Sequence, residues 1–189
     1  MRAFGIDLTG SEKRASGVAL LDEHRVVYTR RVKSDGEIIS LAINAGTDVI
    51  SIDSPLSLPE DSTKIYRECE LILKRRGIGV YWCLLPSMKA LTMRGISMAA
   101  ELRRLVDLNY FPGYTVIESY PGAAQDLLGV PRKNKGLDAL RAGLQKYGIR
   151  GDLDVSHDEL DAVTAAIVGI LYLRGEYEAL GCLIIPKKR

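Results

Sequence analysis

Only three cysteines occur, Cys69, Cys83 and Cys182, an odd number without CxxC spacing, which excludes a disulfide framework and a cysteine-based zinc site. A reducing, cytoplasmic setting is the expectation. The longest apolar run, Ala162 to Leu173, reaches about a dozen residues against the ~20 that a bilayer-spanning helix needs, so no membrane crossing is expected. No signal-like apolar stretch precedes Asp7. An excess of one charge is also missing: 26 Lys and Arg face 24 Asp and Glu, and a net charge of +2 exerts no broad pull on nucleic acid or membrane. Any nucleic-acid contact must therefore be a local patch. There are two histidines and no Ser-His-Asp or Cys-His arrangement, so side-chain nucleophilic catalysis has no candidate. Repeats, low-complexity tracts and linkers are absent. A chain of 189 residues, 47% of them hydrophobic, suits a single domain over residues 1–189 that buries roughly two-thirds of its unfolded surface.

What the chain does contain is a succession of strand and helix patterns. Arg2 to Asp7 reads as a buried strand, followed by the small polar turn Leu8 to Ser11 and two further strands, near Ala15 to Leu21 and over Arg25 to Val32. Their short polar connections predict an antiparallel meander. Helical spacing over Asp35 to Ala45, stopped at Gly46, predicts a crossover, so the β-branched run Asp48 to Asp53 should lie parallel to the first strand. Ser62 to Arg76 and Met88 to Leu108 read as helices, with Gly77, Gly79 and Pro86 breaking the stretch between them. Together they form a helical insertion around residues 62–108. Tyr114 to Glu118 is a fifth strand, and helices follow near Ala123 to Leu128 and over Leu137 to Tyr147. Ser156 and Glu159 match a capping box that opens a helix to about Leu173, and Leu183 to Ile185 can add a short strand before a basic tail. This order predicts an α/β architecture: a mixed five-stranded sheet, three strands in an antiparallel meander and the others parallel, with helices on both faces.

Strand alternation puts Ala3, Gly5 and Asp7 on one face, and Val49, Ser51 and Asp53 on one face of the later strand. As parallel neighbours ~4.8 Å apart, the two strands would bring Asp7 and Asp53 together at their C-terminal ends. For either Asp alone, capping of the next turn is an equal account. Together they imply a cation, because two like charges a few ångströms apart raise each other's proton affinity unless one intervenes. Mg²⁺ or Mn²⁺ is the expected ion. Asp158 and Asp161, three residues apart, project from one side of the last helix near its start. Ala162, Ala165, Ala166 and Gly169 continue that side and are small enough to dock closely on a sheet. Asp158 and Glu159 also suit the positive helix end, which is the preferred reading for Glu159, whereas Asp161 reads as a ligand. Glu118 has two readings of equal weight, a further carboxylate on the same edge or a satisfied strand-end acid. His157 reads as a solvated partner of its acidic neighbours. Lys89 and Arg94 in the insertion, and Arg132 to Lys135 in a loop, are the basic candidates for holding substrate; surface charge is the alternative for each.

The segments Gly5 to Gly10, Ile52 to Pro55, Pro86 to Met88 with Arg94-Gly95, Glu118 to Pro121, and His157 to Ala162 together resemble the domain-of-unknown-function family described as predicted ribonuclease H-like nucleases. The resemblance extends over nearly all of the chain. The last segment is also similar to the closing acidic motif of Holliday-junction resolvases, where two acids on the final helix complete a metal site with a strand-one Asp. The resemblance implies a ribonuclease H-like fold and a metal-dependent nuclease acting on nucleic acid, with a homodimer allowed. By position, Asp7 would bridge metals, Asp53 and Glu118 would add ligands, and Asp158 and Asp161 would close the site. One departure is Asp53, where resolvases carry a Glu; the shorter side chain retracts that ligand by about one methylene. Two other functions compete. One is a non-catalytic binding module of the same fold. The other is an ATP-handling relative of sugar kinases, whose first phosphate loop Asp7 to Ser11 also resembles, although 189 residues supply one such domain where those proteins use two.

Overall fold

The computed structural model describes residues 1–107 and 113–188. Strands β1 (Arg2–Asp7), β2 (Ser16–Asp22) and β3 (Arg25–Val32) make the expected antiparallel meander. Helix α1 (Asp35–Asn44) is N-capped by Ser34, whose hydroxyl accepts from the Glu37 N–H, and it gives way at Gly46, with φ at +60°, to β4 (Val49–Asp53), parallel to β1. Helices α2 (Glu68–Arg75) and α3 (Pro86–Asp107) precede β5 (Thr115–Ser119), which is parallel to β4. Then come α4 (Pro121–Leu128), a 3₁₀ turn (Lys133–Lys135), α5 (Leu137–Tyr147) and α6 (His157–Leu173), and the described chain closes on the hairpin β6 (Tyr177–Leu180) and β7 (Leu183–Pro186).

The sheet thus has seven strands rather than five, in the order β3-β2-β1-β4-β5-β7-β6. The extra edge is the final hairpin. Leu183 to Ile185 carries a readable β-branched pattern, but β6 is only four residues long and shows no alternation of its own. The insertion also differs from expectation. α2 starts at Glu68 rather than Ser62, because Asp61 bonds the N–H and hydroxyl of Thr63 in a turn and the Arg67 backbone N–H is instead capped by the Glu70 carboxylate, 3.1 Å away. Pro86 opens α3 rather than breaking the chain before it, since its missing N–H costs nothing in a first helical turn. The expected end of that helix, Leu108, lies outside the described residues.

Alternation along the strands divides the core into two layers. Phe4, Ile6, Ile50, Ile52 and Val116 pack with Ile38, Ala42, Met98 and Leu102 of α1 and α3. On the other face, Ala3, Val49 and Ile117 pack with α4, α5 and α6. Helix α6 is almost wholly buried, which demands close docking. Small residues permit it: a Cβ on Gly5 would lie 2.0 Å from the Ala162 carbonyl oxygen, and one on Gly17 would lie 2.1 Å from that of Asp158. The start of α6 is therefore held directly over the ends of β1 and β2. Its capping box is intact, with the Glu159 carboxylate accepting from the Ser156 N–H at 3.1 Å and hydroxyl at 2.6 Å. Ser156→Ala is expected to cost about 1 kcal/mol, lowering Tm by roughly 2–4 °C in calorimetry. An unchanged Tm would mean that burial alone fixes this helix start. Among the described residues, no helix is long and apolar enough to cross a membrane.

Candidate functional site

The in-register pairing of β1 with β4 sets Asp7 directly beside Asp53, and that of β4 with β5 sets Asp53 beside Ser119. Residues side by side in a parallel pair project to the same face, which here is the face that receives α6. The start of α6 brings Asp158 and Asp161 over this row, close enough that both act electrostatically on Asp7. Burial, first of all, and then the charges of Asp53, Asp161 and Asp158 push the Asp7 carboxyl well above the ordinary range. Burial and then Asp161 do the same to Asp53, against an opposing pull from Lys133. Asp161 is raised by burial as well, moderated by a 2.8 Å hydrogen bond donated by Gln125 Nε2. No hydrogen-bond donor among the described residues reaches the Asp7 or Asp53 carboxylates. Two adjacent desolvated acids without a donor are costly as anions, and they are neutralised either by a proton or by a cation.

Glu118 lines the same cavity as Asp53 and its charge also raises that carboxyl, but it is held differently. The register pairs it with Ile52 rather than Asp53, so it faces the opposite side of the sheet. There it clasps Arg67, with Nη2 to Oε1 at 2.6 Å and Nη1 to Oε2 at 2.8 Å, and also accepts from the Leu56 N–H at 2.8 Å. Both oxygens are engaged in a buried ion pair that anchors the start of α2, which is the satisfied-acid reading of this residue. Arg94 is bonded within the fold as well. Its guanidinium is buried and fully used, on Asp35 through Nε at 2.8 Å, on the Thr9 carbonyl through Nη1 at 2.7 Å and on the Lys33 carbonyl through Nη2 at 3.1 Å. It braces the loop after β1 and has no N–H left for a substrate. Lys89 is exposed on α3 and is absent from the lining of the cavity described below.

Two other residues lie beside Asp161, one from the basic loop Arg132 to Lys135 and one read from the sequence as a solvated histidine. Lys133, in the 3₁₀ turn, brings its largely exposed ammonium to 4.0 Å from Asp161 Oδ2. His157 places Nε2 at 3.5 Å from the same oxygen, one helical turn away, and that nitrogen is buried without a hydrogen-bond partner. The i,i+4 spacing of His157 and Asp161 was the available signal; for Lys133 only the density of charge from Arg132 to Lys135 hinted at it.

Among the described residues, no group of three or more acidic, imidazole or thiol side chains is drawn together closely enough to hold an ion. What is present is a smaller set, the adjacent pair Asp7 and Asp53, with Asp161 and Asp158 nearby. That set suits Mg²⁺, which keeps several of its waters and takes one or two carboxylates. Beside it opens a cavity of about 420 Å³, lined by Asp53, Asp161, Ser119 and the Glu118–Arg67 pair together with Tyr81, Met88 and Leu91. In the loop after β1 the Thr9 N–H is donated to the Ser16 hydroxyl at 3.0 Å.

A mixed sheet of this order, with a helix laid across the ends of β1 and β4, is a ribonuclease H-like α/β fold. Solved structures agree at the level of fold. Thermus thermophilus RuvC in complex with a Holliday junction substrate superposes with a TM-score of 0.53 at 9% identity, covering 93% of this chain and 97% of that one. Thermus thermophilus RuvC in a second structure gives 0.51 at 13% identity with the same coverage. No protein-family model matches the sequence, and no curated protein does either. The likeness to Holliday-junction resolvases is thus one of fold, while that to the domain-of-unknown-function family finds no matching family model.

Proposed function

We propose that the protein is a metal-dependent nuclease that hydrolyses phosphodiester bonds of nucleic acid at the rim formed by Asp7, Asp53, Asp158 and Asp161. The observation that carries this reading is the donor-free pair of half-buried carboxylates in register on β1 and β4. Asp7 and Asp53 would hold Mg²⁺ or Mn²⁺, with Asp161 and Asp158 as the nearest further oxygens. The bound ion supplies positive charge for the phosphate and lowers the pKa of a coordinated water. Gln125 fixes the Asp161 carboxylate through Oδ1, leaving Oδ2 turned toward His157 and Lys133. His157 Nε2, lacking a partner, is placed to take or return a proton beside that oxygen, and Lys133 to meet a phosphate oxygen arriving from solvent. Glu118 and Arg94 take no part in this set. The two RuvC structures support the reading through the shared fold, one of them holding a Holliday junction.

The test is divalent-ion binding followed by cleavage. At an ion concentration of about ten times Kd, stabilisation of about 1.4 kcal/mol is expected, a Tm rise of roughly 3–6 °C. Calorimetric melting in MgCl₂ and MnCl₂, against NaCl of equal ionic strength, measures it. Cleavage of labelled branched, single-stranded and hybrid substrates in Mn²⁺ should accompany the shift. The absence of both would remove the proposal.

A further inference from the structure

The cavity beside the acidic rim is larger than a metal site requires, and its walls differ in chemistry. Tyr81, 69% exposed, stands with Met88 and Leu91 as an apolar wall. Asp53 and Asp161 line the same cavity, with Lys133 beside Asp161. Ser119, 2% exposed, lines the same space, and its hydroxyl has no hydrogen-bond partner. A buried hydroxyl left unpaired costs about 1–3 kcal/mol, which a ligand with a polar edge can offset. The volume of about 420 Å³ falls within the range of small-molecule pockets and is far too small for a duplex.

We infer that this cavity receives one unpaired nucleotide of a nucleic-acid strand, its base against Tyr81, Met88 and Leu91 and its adjoining phosphodiester at the acidic rim. The inference rests on the nuclease reading and names its substrate class: a single-stranded or locally unpaired strand. A paired base lies inside the stack, and drawing it out costs a few kcal/mol, least where it is already unpaired. An exposed aromatic ring takes any base by stacking, so this choice concerns strand state rather than sequence. Ser119 then meets a polar atom on the edge of the base, and Lys133 meets the backbone.

The experiment is fluorescence anisotropy in EDTA, with a labelled twelve-nucleotide single strand, the duplex of the same sequence, and that duplex with a two-nucleotide bulge. The protein is the full chain carrying Asp7→Asn, so that neither cleavage nor metal enters. The single strand and the bulged duplex should bind at least tenfold more tightly than the plain duplex. Tyr81→Ala, at an exposed position that leaves the core intact, should weaken strand binding at least fivefold. Met88→Trp, which fills the cavity, should do the same while leaving duplex binding unchanged. Equal affinity for strand and duplex, or indifference to both substitutions, would overturn the inference. So would displacement of the strand by thymidine monophosphate at equal concentration, which would assign the cavity to free nucleotides. Metal-induced stabilisation with cleavage of plain duplex would leave the nuclease reading standing without this pocket, and strand-selective binding without any metal response would do the reverse.

Discussion

Asp7→Asn is expected to melt higher than the wild type when divalent cations are absent, and to cleave on the order of a thousandfold more slowly when they are present. Both effects follow from one cause. In the metal-free protein the Asp7 carboxyl is raised by burial and then by Asp53, Asp161 and Asp158. A raised folded-state value means that the contribution of this group is fully present below its unfolded value, about 4, and is lost as pH rises through the folded value. At neutral pH the wild type therefore bears the cost of a crowded, desolvated carboxylate, and the amide does not. The gain from Asp7→Asn should be about 1–3 kcal/mol, or roughly 2–12 °C in Tm, and should shrink toward zero as the pH falls to about 4. Added Mg²⁺ should raise the wild-type Tm and leave the variant unmoved. Calorimetric melting from acid to neutral pH, with and without MgCl₂, measures all of this. A variant that melts at the wild-type temperature and still responds to Mg²⁺ would show that the carboxylates on β1 and β4 do not share an ion.

How much of this arrangement was legible in the sequence depends on the range of the signal. The adjacency of Asp7 and Asp53 follows from two short β-branched runs, each ending in Asp, and a parallel crossover, and the observed register pairs the two residues directly. The capping box at Ser156 and the small-residue side of α6 are local patterns, and both are realised in the docking of that helix against Gly5 and Gly17. Glu118 was harder to place because strands alternate with a period of two. Ending β5 at Ser119 instead of Glu118 moves the acid to the other face, and only the ladder to β4 reveals which residue stands beside Asp53. Arg94 reads as a substrate-holding base because nothing local announces that Asp35, Thr9 and Lys33 will surround it. Lys133 belongs to a turn without periodicity, whose approach to Asp161 is set by how α4 and α5 pack beneath α6. Tertiary partners decide such residues, and a single sequence does not record them.

Glu118→Ala separates the two roles open to that residue, and its expected cost is the largest of any single change considered. The substitution leaves the Arg67 guanidinium buried without the oxygens that Nη1 and Nη2 now meet at 2.8 and 2.6 Å, and it frees the Leu56 N–H as well. Breaking a buried ion pair from one side costs about 3–5 kcal/mol, a fall in Tm of roughly 6–20 °C. Arg67 also bonds Glu70, which holds the Cys83 N–H at 3.1 Å, so the loss should spread through α2 and the segment leading into α3. Replacing both partners, Glu118→Leu with Arg67→Met, should recover much of the stability, since it is the unpaired charge and not the missing bridge that is costly. Below its melting temperature the single variant should still gain stability from Mg²⁺ as the wild type does, because Asp7 and Asp53 remain in place on the opposite face. A Glu118→Ala protein that keeps its Tm within about 1 °C but loses its response to Mg²⁺ would return Glu118 to the metal and require the β5 edge to turn its acid toward α6.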